Sequence, residues 1–162
     1  MALNEALLSS KSHDWRTPPE LFEAINSTYQ FTLDAAADTE NALCPLYFTE
    51  EDDALAQSWN GHRVWCNPPY GRELAKFVKK AFSEWVDNAT TTVLLIPARP
   101  DTKVWQDIIL PHASVSFLAG RLRFLRPDGT STDPAPFPSA VVVFEGWKAT
   151  MFHQKIQPRR KS

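Results

Sequence analysis

Thr91-Thr92-Val93-Leu94-Leu95-Ile96-Pro97 decides the fold. It is a continuous apolar run closed by a proline, the pattern of a strand buried on both faces at the centre of a parallel sheet. Upstream of it, Leu74, Phe77, Val78, Ala81, Phe82 and Trp85 recur at helical spacing. Residues 73–86 therefore read as an amphipathic helix laid on that strand. Further upstream, Val64-Trp65-Cys66 and Phe31-Thr32-Leu33-Asp34 read as strands. Leu21, Phe22 and Ile25 give a short helix one apolar face, with Thr17 as its cap and Glu20 completing a capping box. Downstream, 101–110 reads as a helix with Val104, Ile108 and Ile109 inward, followed by strands at 114–118, 121–125 and 140–144. Such alternation predicts an α/β fold, a single-domain, Rossmann-like open sheet that is mostly parallel. No helix separates the final strands, so they are expected to pair antiparallel, with 140–144 closing the sheet.

The rest of the chain fills in around this frame. Residues 35–46 form a connection without periodicity. Glu50, Glu51, Asp52 and Asp53 make an acidic cluster followed by a helical turn or two, and 126–138 is a long Pro/Gly/Asp loop. We expect a flexible N-terminus over 1–13, one domain over 14–150, and a basic tail over 151–162 carrying Lys155, Arg159, Arg160 and Lys161. The 162 residues suffice for one core, and 43% apolar with 22% charged residues is ordinary for a soluble domain. Net charge is −2, so any nucleic-acid contact must come from a local patch and not from a basic protein. Cys44 and Cys66 stand apart without metal-ligand spacing, which speaks against a metal site or disulfide framework and agrees with a reducing cytoplasm. No apolar run has the length of a membrane span.

Asn67-Pro68-Pro69-Tyr70 follows the strand at 64–66. Consecutive prolines remove two backbone donors and hold the preceding residue extended. Their carbonyls stay free of helix or sheet ladders, beside an amide and a phenol. In an open α/β sheet, ligands sit beyond the carboxyl ends of the strands. Asp34, the Asp53 region, Asn67–Tyr70 and Pro97–Asp101 all fall there. The Asn67 oxygen and the Pro68 carbonyl are two acceptors that can draw the hydrogens of an exocyclic amine out of conjugation and free its lone pair. Tyr70 can stack on a base, a contact of about 1–3 kcal/mol. Only a flipped-out base can reach such a pocket.

In this place Asn67-Pro68-Pro69-Tyr70 resembles the motif of amino-group methyltransferases acting on DNA. More fully, the chain resembles the phage-type DNA N6-adenine methyltransferases, the phage Dam family. The resemblance rests on Asp14-Trp15-Arg16-Thr17-Pro18, Phe31 to Asp38, Tyr47-Phe48-Thr49, Asp53-Ala54-Leu55 with Trp59, and Val64 to Gly71. It continues through Leu95 to Arg99, Gly120 to Phe124 and Pro138-Ser139-Ala140. It implies methyl transfer from S-adenosylmethionine to N6 of a flipped-out adenine in DNA, in the cytoplasm of a bacterial host. It implies Asn67, Pro68, Pro69 and Tyr70 as the catalytic set. The cofactor would be held by Trp15, Arg16, Thr17, Pro18, Asp34, Ala35, Asp53 and Asn67. Where this class often has glycines, the cofactor loop has Ala35-Ala36-Ala37-Asp38. Asp38, Glu40 and Glu50 are candidates for the cofactor ribose.

The chain has no room for a separate target-recognition domain, so DNA contacts fall to loops bearing Arg72, Arg99, Arg121 and Arg123. Neither a metal nor a membrane is expected to take part, and a monomer or weak dimer is expected. Two alternatives remain at this level. One is the same fold acting on cytosine N4 or a non-DNA amide, and the other is a non-catalytic DNA-binding module.

Overall fold

The computed structural model describes residues 15–156, with side chains through Met151. Asp14, residues 1–13 and the basic side chains of the C-terminal tail lie outside the described residues. Helix α1 spans Pro19–Tyr29. Strands β1 (Leu33–Asp34), β2 (Leu46–Tyr47) and β3 (Arg63–Cys66) follow. Helix α2 (Arg72–Asn88) leads into β4 (Thr91–Pro97). Helix α3 is a π-helical turn, Trp105–Ile109, running into an α-turn, Leu110–His112. Strands β5 (Ser114–Phe117) and β6 (Ser139–Phe144) precede helix α4 (Gly146–Ile156).

The sheet order is β2-β1-β3-β4-β6-β5. The pairs β2–β1, β1–β3 and β3–β4 are parallel, while β4–β6 and β6–β5 are antiparallel. The mostly parallel α/β sheet with antiparallel final strands is as expected, with one change of position. The last strand does not close the sheet. It inserts between β4 and β5, because all six residues of β6 are buried while β5 is largely exposed.

Period-two alternation sorts each strand between two cores. Val64, Cys66, Leu94, Ile96, Val142 and Phe144 face the core under α2, α3 and α4, built with Phe77, Val78, Trp85, Trp105 and Ala149. Trp65, Val93, Leu95, Val141 and Val143 face the other, with Phe22, Phe31, Tyr70, Phe124 and Phe137. Covering both faces is what makes β4 read as an unbroken apolar run.

Several local expectations are corrected. Thr17 does not cap α1; Pro18 takes that position and no side-chain cap bond forms. Residues 49–57 form successive i→i+3 turns and no helix, since Asp53 adopts φ 53°. Residues 121–125 are not a regular strand. The segment crosses the sheet face, and its backbone pairs with Arg16, Thr132 and Ala135. Helix α4 covers 146–156, so the first part of the expected tail is helical. No described helix is long and apolar enough to cross a membrane.

Candidate active site

A cleft of about 1040 Å³ opens at the carboxyl ends of β1 and β3. It reaches the upper end of the range of about 300–1,000 Å³ typical of small-molecule sites. Its walls are the 15–17 segment, the 34–43 loop, the 48–55 turns and the Asn67–Tyr70 loop.

Asp34 ends β1 at the cleft floor and is 3% exposed. Its carboxylate accepts from the Leu43 amide at 3.1 Å and the Ala36 amide at 3.3 Å. Burial nevertheless pushes its carboxyl up to about 6, against the pull of those amides. A buried carboxylate short of a cation is a natural seat for a positively charged group. The loop after it needs no glycine. None of residues 34–43 adopts positive φ, and Asp38 closes the turn by accepting from the Glu40 and Asn41 amides, both at 2.8 Å.

The 15–17 segment is stitched across the cleft by paired backbone bonds between Arg16 and Leu125, 3.2 and 2.9 Å. Arg16 reaches Glu40 at 3.6 Å and Asp38 at 3.8 Å. Its Nε and the indole Nε1 of Trp15 are buried without partners among the described residues. Two buried donors without partners, both on residues of the cleft wall, call for an acceptor. Asp53 lines the cleft, whereas Asp52 is spent on the Thr49 amide and hydroxyl at 2.8 and 3.0 Å. Glu50, Asp38 and Glu40 also line it.

Asn67 follows β3 directly. Its Nδ2 donates to the Trp15 carbonyl at 2.8 Å and to the Thr17 hydroxyl at 3.1 Å. Its Oδ1 accepts from the Tyr70 hydroxyl at 2.9 Å. No hydrogen bond among the described residues uses the Pro68 carbonyl. The stacking expected of Tyr70 needs an open ring face, and here the ring is 3% exposed. It packs edge-on against Phe124 and Phe137 and tilted to Trp15. Burial pushes the phenol upward, which keeps it a hydroxyl donor. Its visible role is to hold Asn67.

The arginines lie apart. Arg72 begins α2 at the cleft mouth. Arg99 lines a second, smaller hollow of about 270 Å³ beside Tyr70, Thr102 and Trp105. Arg121 and Arg123 alternate with inward Leu122 and Phe124, and among the described residues their side chains make only long contacts to the Ala135 and Thr132 carbonyls, 3.5 and 3.4 Å. Sequence reasoning missed Phe137 and Leu125 as builders of the site. Phe137 sits among prolines in what reads as a loop, and Leu125 acts through its backbone.

An open α/β sheet with a large cleft and an Asn-Pro-Pro-Tyr loop at its strand ends is the architecture of an α/β group-transfer enzyme. Known proteins narrow the class. The sequence matches the family described as DNA N-6-adenine-methyltransferase (Dam) over residues 5–160. A DNA N-6-adenine-methyltransferase of Haemophilus phage HP1 is 32% identical over 136 residues, 81% of this chain and 78% of that one. Another, of Escherichia phage T1, is 37% identical over 83 residues, 50% of this chain and 34% of that one. The chain belongs to the Dam family of DNA N-6-adenine-methyltransferases.

Proposed function

We propose that this protein transfers a methyl group from S-adenosylmethionine to N6 of a flipped-out adenine in DNA. The observation that carries the proposal is the oriented Asn67 amide on the wall of the large cleft, followed in the chain by a Pro68 carbonyl that no hydrogen bond among the described residues uses. The family and its two phage relatives support adenine as the base and a bacterial host's cytoplasm as the place.

The cleft suits the cofactor chemically. Buried Asp34 matches its cationic ammonium, the orphaned Arg16 Nε and Trp15 Nε1 match its carboxylate, and Asp53 matches an amino group of its adenine. When bound, S-adenosylmethionine supplies a methyl group activated on a sulfonium. The protein's own part is positioning and charge placement. Asn67 Oδ1 and the Pro68 carbonyl accept the two N–H groups of the target amine and leave its lone pair directed at the cleft. Arg72, Arg99, Arg121 and Arg123 contact phosphates, which orient the DNA without specifying its sequence.

Incubation with methyl-labelled cofactor and DNA, followed by digestion to nucleosides, tests this reading. Label in N6-methyladenosine is expected. Label in cytosine or protein would move the assignment to another amine, and binding without transfer would make the chain a DNA-binding module. Cofactor binding is checked separately by titration calorimetry.

A further inference from the structure

The groups that orient the Asn67 amide lie largely outside the tetrapeptide. A backbone carbonyl only accepts, so the amide atom 2.8 Å from the Trp15 carbonyl must be the nitrogen. That settles the flip. Nδ2 has two hydrogens, and the Trp15 carbonyl and Thr17 hydroxyl take both. Oδ1 has two acceptor sites, and the Tyr70 hydroxyl takes one. One acceptor site remains, and its direction is set by the other three contacts.

We infer that Thr17 is a positioning residue for Asn67: its buried hydroxyl fixes the amide so that the one remaining acceptor site of Oδ1 faces the target amine. This rests on the adenine reading for the identity of that amine. Thr17 is 7% exposed and makes no cap bond to α1, although its place before the helix invites one. Its oxygen is committed to Asn67 instead, fifty residues away in the chain. The same 15–17 segment lines the cofactor cleft and is tied to Leu125. The segment is held there by its backbone bonds to Leu125, which Thr17→Val leaves in place, so the hydroxyl's own part is the contact with Asn67.

Thr17→Val removes the acceptor while keeping the branch, and Thr17→Ser restores it. The first readout needs no DNA: solvent exchange of the Asn67 side-chain amide protons, followed by NMR. In Thr17→Val these protons should exchange faster, and in Thr17→Ser they should return to the wild-type rate. Single-turnover transfer should slow on the order of 10- to 100-fold in Thr17→Val, as misplacement of a reacting group does, and recover in Thr17→Ser. Cofactor affinity should stay within about threefold, the signature of a lost positioning contact. Unchanged exchange in Thr17→Val would overturn the inference. So would a loss of cofactor affinity matching the loss of rate, since Thr17 would then act on the cofactor alone. If Thr17→Val does not fold, Thr17→Ala makes the same comparison. Failure of the wild type to form N6-methyladenosine would overturn the adenine reading and leave the exchange result standing.

Discussion

The Tyr70 hydroxyl donates to Asn67 Oδ1 at 2.9 Å while lying 3.2 Å from the Leu95 carbonyl, so one phenol links the Asn67–Tyr70 loop to the central strand. The ring is sealed against Phe124 and Phe137. The loop is thus anchored through its last residue and aimed through its first.

Tyr70→Phe keeps the ring and removes the anchor. Stability should fall by about 1–2 kcal/mol in urea unfolding, the usual effect of losing one buried hydrogen bond. The transfer rate should drop with little change in cofactor affinity. Tyr70→Ala should cost about 3–5 kcal/mol by emptying the aromatic cluster. Equal stabilities for the two variants would show that the hydroxyl, and not the ring, holds the loop.

Asn67→Asp is not conservative in this chain. The Trp15 carbonyl needs a donor, and an ionised aspartate offers only acceptors. The variant should be less stable than wild type at neutral pH and inactive. Its melting temperature should approach wild type as pH falls, because a protonated carboxyl can donate again. A pH-independent deficit would remove the carbonyl as its cause.

Folded Asp34, pushed up to about 6, holds its proton more tightly than the unfolded chain does. Its contribution therefore favours the folded state below about pH 4 and is lost as pH rises to about 6, on the order of 3 kcal/mol in all. A bound ammonium favours the carboxylate and reverses the preference. Cofactor affinity should be level above about pH 6 and weaken roughly tenfold per unit below it. Titration calorimetry across this range measures it, and flat affinity down to pH 4.5 would separate Asp34 from the cofactor.

Gly146 opens α4 where a Cβ would stand 2.0 Å from the Ala89 carbonyl oxygen, and its amide donates to Thr91 Oγ1 at 2.9 Å. Gly146→Ala should destabilise by about 1–3 kcal/mol, the cost of overpacking. The cleft lies elsewhere, so cofactor affinity at low temperature should persist.

Arg121→Ala and Arg123→Ala should each weaken DNA binding across all sequences and reduce the salt slope of log affinity by about 1. Equal salt slopes for wild type and variants would place the phosphates elsewhere.

The parts legible in the sequence were those whose burial leaves a period. Strand β4, helix α2 and the strand ending at Cys66 announce themselves through apolar runs or helical spacing. Asp34 and Asn67 were findable because strand ends are where open sheets hold ligands. Strand β2 was not, since two residues with an exposed Leu46 carry no pattern and exist only by pairing with β1. Residues 121–125 alternate like a strand, yet the alternation serves a segment lying over the sheet face.

From sequence alone came the α/β class, the covered central strand and the resemblance that names the reaction, because each rests on local composition and order. Tertiary structure decided the insertion of β6 beside β4, the burial of Tyr70 and the commitment of Thr17 to Asn67. Those depend on which distant groups meet. A hydroxyl before a helix can cap it or serve a partner fifty residues on, and only the folded chain shows which acceptor and donor come within reach.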